Sequence, residues 1–192
     1  MQAPGGPDED SSNGFRYGGW QFGWDEEDKE ADNIMDRKIL SVPFDILLGK
    51  RTYDIFAAFW PNHKDEPRIG KPFDRAKKYV VAHKPFEHSW NHSVLITGNV
   101  IAKLKRLKKS DGPDLLVWGS GKLIQTLLSH NLIDRMHVWI FPITIGTGKK
   151  LFAEGTLPER FKYVDGKITS SGIIFATYEP LMPLKTGQAK IY

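Results

Sequence analysis

The chain has 192 residues, the length of one compact domain rather than two. With 40% hydrophobic and 12% aromatic residues it can fill a core, and with no cysteine it excludes disulfide frameworks, thiolate metal sites, iron–sulfur clusters and a cysteine nucleophile. The net charge of +4 hides an asymmetry: residues 1–36 hold ten acidic side chains against Arg16 and Lys29, or −8, which leaves +12 on the remaining 156. A basic body behind an acidic leader suggests a phosphorylated ligand, against the blander reading that lysines merely solvate the surface.

No apolar run approaches the roughly 20 residues of a spanning helix, and MQAPGGPDED lacks the basic flank and apolar stretch of a secretory signal. The expectation is a cytoplasmic protein with no membrane partner. The opening stretch to Gly23, rich in glycine and proline, has no helical or strand period and reads as a long loop, of the kind that forms lids. Asp25–Leu40 reads as a helix ended by Pro43. Phe44–Leu48 is a buried strand stopping at Gly49, and Thr52–Trp60 a short aromatic helix.

Ala76–Ala82 and Val94–Thr97 are strands, separated by a loop from His83 to Ser93. Asn99–Lys108 is a basic amphipathic helix with Ile101, Leu104 and Leu107 on one face. Leu115–Trp118 is a strand, Gly119–Gly121 a tight turn, and Lys122–Ser129 a helix burying Leu123, Leu127 and Leu128. Met136–Ile145 is the longest strand candidate. Phe161–Glu179 alternates as two antiparallel strands turning near Asp165–Gly166 or Ser170–Ser171. Strands alternating with helices, then a hairpin, indicate an α/β sheet.

Two strand ends run into glycine and then a helix, one around Gly49 followed by Lys50 and Arg51, one around Gly119 and Gly121 followed by Lys122. Ligands of open α/β sheets bind at the carboxyl ends of strands, and helix amino termini there favour phosphate. The standard nucleotide motifs are absent, since the turn at Gly119 lacks the third glycine of a Rossmann fingerprint and no Walker loop is present. His88 and His92 sit in a polar, proline-bearing loop, so no metal site is read. His83 and Lys84 follow a strand and are candidate phosphate contacts. The cluster Asp25, Glu26, Glu27 and Asp28 is either a solvated helix start or the source of a general acid. Phe56, Phe59 and Trp60 are either core or substrate platform. No nucleic-acid motif accompanies the basic body, so no nucleic-acid partner is expected.

The segments LLGKRTYDIFAAFWP, KKYVVAHK, LLVWGSGKLIQTLL and HVWIFPITIGTGKKLF, with the MQAPGGPDED loop, together resemble the reductase domain of the riboflavin-biosynthesis protein RibD, the RibD C-terminal domain family. More narrowly they look like its stand-alone bacterial relatives of dihydrofolate-reductase-like fold. The resemblance covers essentially the whole chain. It implies one three-layer α/β domain with a mostly parallel central sheet and an antiparallel C-terminal hairpin, NADPH as cofactor, and a homodimer.

On that resemblance, Gly49, Lys50, Arg51 and Thr52 match the turn for the pyrophosphate and 2′-phosphate, and Ala82 and His83 the strand end beside the adenosine. Gly119, Ser120, Gly121, Lys122 and Leu123 match the turn that holds the pyrophosphate and borders the nicotinamide. Gln2 and Ala3 belong to the lid, and Phe56, Trp60, Trp139 and Phe141 approach the substrate. No catalytic side chain and no proton donor are assigned; water is one candidate source of the proton. The implied activity is an NADPH-dependent reductase of a carbonyl or imine in a small heterocycle, resembling 5-amino-6-(5-phosphoribosylamino)uracil reductase. The rival is an NADP-binding protein without turnover, a sensor or a degenerate enzyme. Related chains open with an apolar strand ahead of the MQAPGG loop. Here the sequence starts at the loop, so the domain is expected to lack that first strand unless another segment or chain fills its place.

Overall fold

The structure is a computed structural model and describes residues 1–25, 29–184 and 186–187. The leader runs irregularly into α1 (Phe22–Asp25), and α2 (Lys29–Met35) continues into one wider turn over Asp36–Leu40. Of the helix expected over Asp25–Leu40, the part from Lys29 to Leu40 is helical, its last turn being the wider one. Glu26, Glu27 and Asp28 of the acidic cluster lie outside the described residues.

An apolar run closed by glycine makes β1 (Phe44–Gly49), whose four central residues are buried. The chain turns at once into α3 (Lys50–Phe59) and, after a short link, α4 (Gly70–Arg75). The α4 segment carries no readable period. Its start is held instead by Glu66, whose carboxylate accepts the N–H groups of Arg68, Ile69 and Gly70 at 2.9, 2.7 and 2.9 Å.

Then come β2 (Lys78–Val81), β3 (Ser93–Ile96), α5 (Val100–Lys108), β4 (Asp114–Leu116) and α6 (Gly121–Ser129). Asn99 caps α5 by accepting from the Ala102 N–H at 3.1 Å. Three antiparallel strands, β5 (Met136–Ile140), β6 (Glu159–Ile168) and β7 (Ile174–Pro183), complete the chain.

The strands β3-β2-β1-β4 form one sheet, parallel throughout, and β5-β7-β6 a separate antiparallel one. The period of two along β1 makes the layers of the first sheet. Ile46 and Leu48 pack with Tyr53 of α3 and Phe73 of α4 on one face, while Leu47 packs with Leu104 of α5 and with Leu123 and Leu127 of α6 on the other. All of these side chains are almost fully buried, each burial contributing about 2 kcal/mol.

The expected α/β class and terminal hairpin are therefore present, with β5 added to the hairpin. The turn falls at Ser170–Ser171, and the other candidate, Asp165–Gly166, lies at a bulge inside β6. The division between the sheets falls between β4 and β5. β5 stops at Ile140 rather than Ile145 because Pro142 has no N–H to donate; the chain folds back there, with the Ile143 N–H donating to the Phe141 carbonyl at 2.8 Å. Among the described residues no helix is long and apolar enough to cross a membrane.

Candidate functional site

In a parallel sheet all strands end on the same side, so β1, β2 and β4 deliver Gly49, Ala82 and Gly119 to one edge. The two glycine turns meet there. The Gly49 N–H donates to the Ser120 hydroxyl oxygen at 2.8 Å, and that hydroxyl donates to Thr52 Oγ1 at 2.9 Å. Gly49 is the residue before α3 and Ser120 the residue before α6, so two helix amino termini are joined through one hydroxyl.

Reaching this position costs strain. Gly119 has φ of 72°, which glycine adopts freely, but Ser120 follows at φ 64°, ψ 60°, a left-handed conformation costing about 1 kcal/mol. Neither N-cap side chain serves its own helix: Gly49 has none, and the Ser120 hydroxyl is spent on Gly49 and Thr52. By contrast α5 and α4 are closed by Asn99 and Glu66. The first-turn N–H groups of α3 and α6, with the positive ends of both helix dipoles, are therefore left facing one edge of the sheet.

The cations expected beside these turns differ in their commitments. Lys50 pairs with Asp54 one turn along its own helix at 2.7 Å and lies 4.3 Å from the Phe86 ring centroid. Arg51 reaches the leader, with a guanidinium nitrogen 2.6 Å from Asp10 Oδ1. Ala82 is buried and its N–H donates to the Ile96 carbonyl at 3.1 Å, while His83 beside it is exposed.

The leader closes over this edge. Met1 packs on Gly121, where an added Cβ would lie 2.9 Å from the Met1 Cε. Gln2 is 4% exposed and every part of its amide is used: Nε2 donates to the carbonyls of Asp10 and Ser12 at 2.9 and 3.0 Å, and Oε1 accepts from the Lys149 N–H at 3.1 Å. Its side chain thus fastens the leader to itself and to the GTGKK turn. Ala3 is buried with φ of 45°, and its carbonyl accepts from the Gly19 N–H at 2.9 Å. On the receiving turn Gly148 has φ of 103°, and an added Cβ would meet the Phe15 ring at 2.8 Å. Gly148 of PITIGTGKK, with the Lys149 N–H beside it, is therefore the seat of the leader.

Asp10 gathers three groups. Besides Arg51 it accepts from the Lys149 ammonium and from the Ser12 N–H at 3.1 Å. Burial opposes its ionisation, yet the hydrogen bonds from Lys149 and Ser12 outweigh that and bring its pKa down to about 2. Neither Asp10 nor Lys149 stands out in sequence; the opposite charge excesses of leader and body are the only trace of their pairing.

The aromatic residues expected to approach substrate fall into two groups. Phe56 and Trp60 pack on Phe73, at ring-centroid distances of 5.9 and 5.1 Å, under α3. Phe141 meets Trp20 and Trp24 of the leader edge-on at 5.2 and 5.7 Å, and Trp139 lies against Phe175 at 5.1 Å. The Trp20 indole N–H donates to the Gln2 carbonyl at 2.9 Å, so the second group is continuous with the leader. Two pleats from Phe141, half-buried His137 bonds Thr177 Oγ1 at 3.0 Å; burial first, then Arg135 and Lys38, lower its pKa. Two shallow cavities elsewhere, beside Arg68 and beside Phe152, contain none of the expected site residues. Among the described residues no three histidine, aspartate or glutamate side chains are grouped to hold a metal.

Known proteins resemble this chain in sequence or in fold. The Bacillus subtilis (strain 168) protein YyaP is 29% identical over 136 residues, 69% of this chain and 72% of that protein. A Shewanella sp. PV-4 protein proposed to act in riboflavin biosynthesis superposes with a TM-score of 0.60 at 22% identity, over 80% of each chain. A dihydrofolate reductase from Enterococcus faecalis, complexed with NADP(H), gives 0.54 at 10% identity, over 78% of this chain and 82% of that one. At these identities the structures establish the fold alone. The family model does more, because its match to residues 19–175 takes in both glycine turns, the strands that deliver them and the seat of the leader: the chain belongs to the RibD C-terminal domain family.

Proposed function

We propose that the protein is an NADPH-dependent reductase that passes hydride to a carbonyl or imine carbon of a small heterocyclic substrate, a ribosylaminopyrimidine of riboflavin synthesis being the class its family suggests. The observation that carries this reading is the junction of two helix amino termini at the Gly49–Ser120 hydrogen bond, with neither N-cap side chain left to serve its own helix. Such a junction suits a diphosphate, whose oxygens take the first-turn N–H groups of α3 and α6.

In this reading Gly49, Thr52, Gly119, Ser120 and Gly121 hold the diphosphate, and Lys50 and Arg51 answer the 2′-phosphate. Ala82 and His83 border the adenosine, and Lys122 and Leu123 the nicotinamide. When bound, the cofactor supplies the hydride. The protein supplies position: Gln2 and Ala3 hold the leader over the edge, and Phe141 and Trp139 present an aromatic wall to a flat heterocycle, with Phe56 and Trp60 supporting α3 from beneath. Water supplies the proton. A cytoplasmic homodimer is part of the proposal and rests on family membership.

The test is to titrate the protein with NADPH and NADH and then follow cofactor absorbance with candidate pyrimidine and pterin substrates. Binding with oxidation by one of these substrates is expected. Absence of NADPH binding sinks the reading, and binding without oxidation by any substrate turns it toward a cofactor sensor.

A further inference from the structure

Arg51 and Lys149 lie far apart in sequence, one in the first turn of α3 and one in the glycine turn after β5, yet both end on the carboxylate of Asp10. The Asp10 side chain is 9% exposed, whereas that of Arg51 is 61% exposed. One face of the guanidinium is thus committed to the leader and the rest is open to an incoming ligand. Two cations meet one carboxylate, so the cluster keeps a net charge of +1. Of the neighbouring charges, Lys50 pairs with Asp54, while Glu9 accepts the Gly5 N–H at 2.7 Å and stays close enough to Asp10 for the two carboxylates to repel each other, a repulsion that release of Asp10 from the cations leaves in place.

We propose that Arg51 and Lys149 form a phosphate subsite whose resident counter-ion is Asp10, so that a phosphate ester binds there by displacing the Asp10 carboxylate and unlatching it from both cations. This deepens the functional reading and rests on it for the identity of the ligand. A phosphate monoester carries close to two negative charges at pH 7 and three acceptor oxygens, and it answers two cations better than one carboxylate does. A guanidinium binds such a group through two parallel hydrogen bonds. The leader does not depend on the latch alone. Gln2 keeps its bonds to the Asp10 and Ser12 carbonyls and to the Lys149 N–H, and Trp20 keeps its bond to Gln2. Exchange of the anion therefore frees the carboxylate while the loop stays seated, and it links ligand binding to the mobility of the Asp10–Ser12 turn.

The phosphate has two sources in this reading, the 2′-phosphate of the cofactor or a phosphate on the substrate. Isothermal titration of the intact protein and of Asp10→Asn with adenosine 2′,5′-bisphosphate, adenosine 5′-monophosphate and ribose 5-phosphate separates them. Asp10→Asn is expected to tighten one phosphate ligand about tenfold, and Lys149→Gln to weaken the same ligand about tenfold. A gain confined to the bisphosphate assigns the cofactor's phosphate, and a gain confined to ribose 5-phosphate assigns the substrate's. No gain with any ligand, or weaker binding by Asp10→Asn, overturns the proposal. Should Asp10→Asn fail to fold, hydrogen exchange on the unaltered protein decides: the Ser12 amide, which donates to Asp10, must exchange faster when the ligand saturates, and unchanged or slower exchange overturns it. None of these probes carries a nicotinamide, so failure of the protein to bind or oxidise NADPH would fall on the reductase reading and leave these outcomes legible.

Discussion

The backbone N–H of Gly49 donates to the side-chain oxygen of Ser120 at 2.8 Å, across 71 residues of sequence. This bond joins the residues preceding α3 and α6 and uses the one side chain able to cap α6, leaving both helix starts without N-cap side-chain bonds. Ser120→Ala leaves the Gly49 N–H and the Thr52 hydroxyl without this partner, at a cost of about 1–2 kcal/mol. The protein should still fold, shown by circular dichroism, while NADPH binds about tenfold more weakly. Ser120→Gly relieves the left-handed serine and should recover stability in urea unfolding without recovering affinity. Unchanged affinity in both variants would separate the junction from ligand binding.

Gly148 tests the seat of the leader. A methyl group there would meet the Phe15 ring at 2.8 Å from a backbone with φ of 103°, so Gly148→Ala should cost about 1–3 kcal/mol. The loss should be local. Hydrogen exchange is expected to rise across Gln2–Gly19 and stay slow in β1 and β2; a leader as protected as before would mean that this turn does not hold it.

Lys78 gives a pH dependence. It is fully buried, its ammonium donates to the Asp74 carbonyl and to Asn91, and it lies 4.5 Å from the Trp90 ring centroid. Burial outweighs the attraction of Asp74 and Asp45 and lowers its pKa to about 8. In the unfolded chain the ordinary value is about 10.4, so between these values the unfolded state binds more protons and stability rises with pH. The gain is roughly 2–3 kcal/mol between pH 8 and pH 10.5. Lys78→Met should remove this rise from urea-unfolding free energies measured across that range. A variant that keeps the rise would show that Lys78 is not its source.

Much of the fold is legible locally, because an apolar strand ending in glycine and passing into a helix leaves its mark within a few residues. Gly49 and Gly119 are read that way, as are Leu123, Leu127 and Leu128, whose spacing puts them in the core. What is not legible depends on partners far away in the chain. Nothing near Ser120 announces Gly49, and Asp10 and Lys149 are 139 residues apart. Helical spacing marks Phe56 and Trp60 as one face of the expected Thr52–Trp60 helix without saying that Phe73 would be against it. The strand expected to reach Ile145 ends at Ile140 because one proline outweighs the apolar run around it. The four aromatics expected at the substrate therefore divide into a group beneath α3 and a group continuous with the leader.

In the proposed function the junction of the two glycine turns binds a nicotinamide dinucleotide and Arg51 beside it answers the 2′-phosphate. The most direct test of this assignment is a fluorescence titration of the unaltered protein and of Arg51→Gln with NADPH and NADH, at one pH and ionic strength. The unaltered protein should bind NADPH about tenfold more tightly than NADH, and Arg51→Gln should lose most of that difference while still binding both. Absence of binding by the unaltered protein, or an equal loss for the two cofactors in Arg51→Gln, would contradict it.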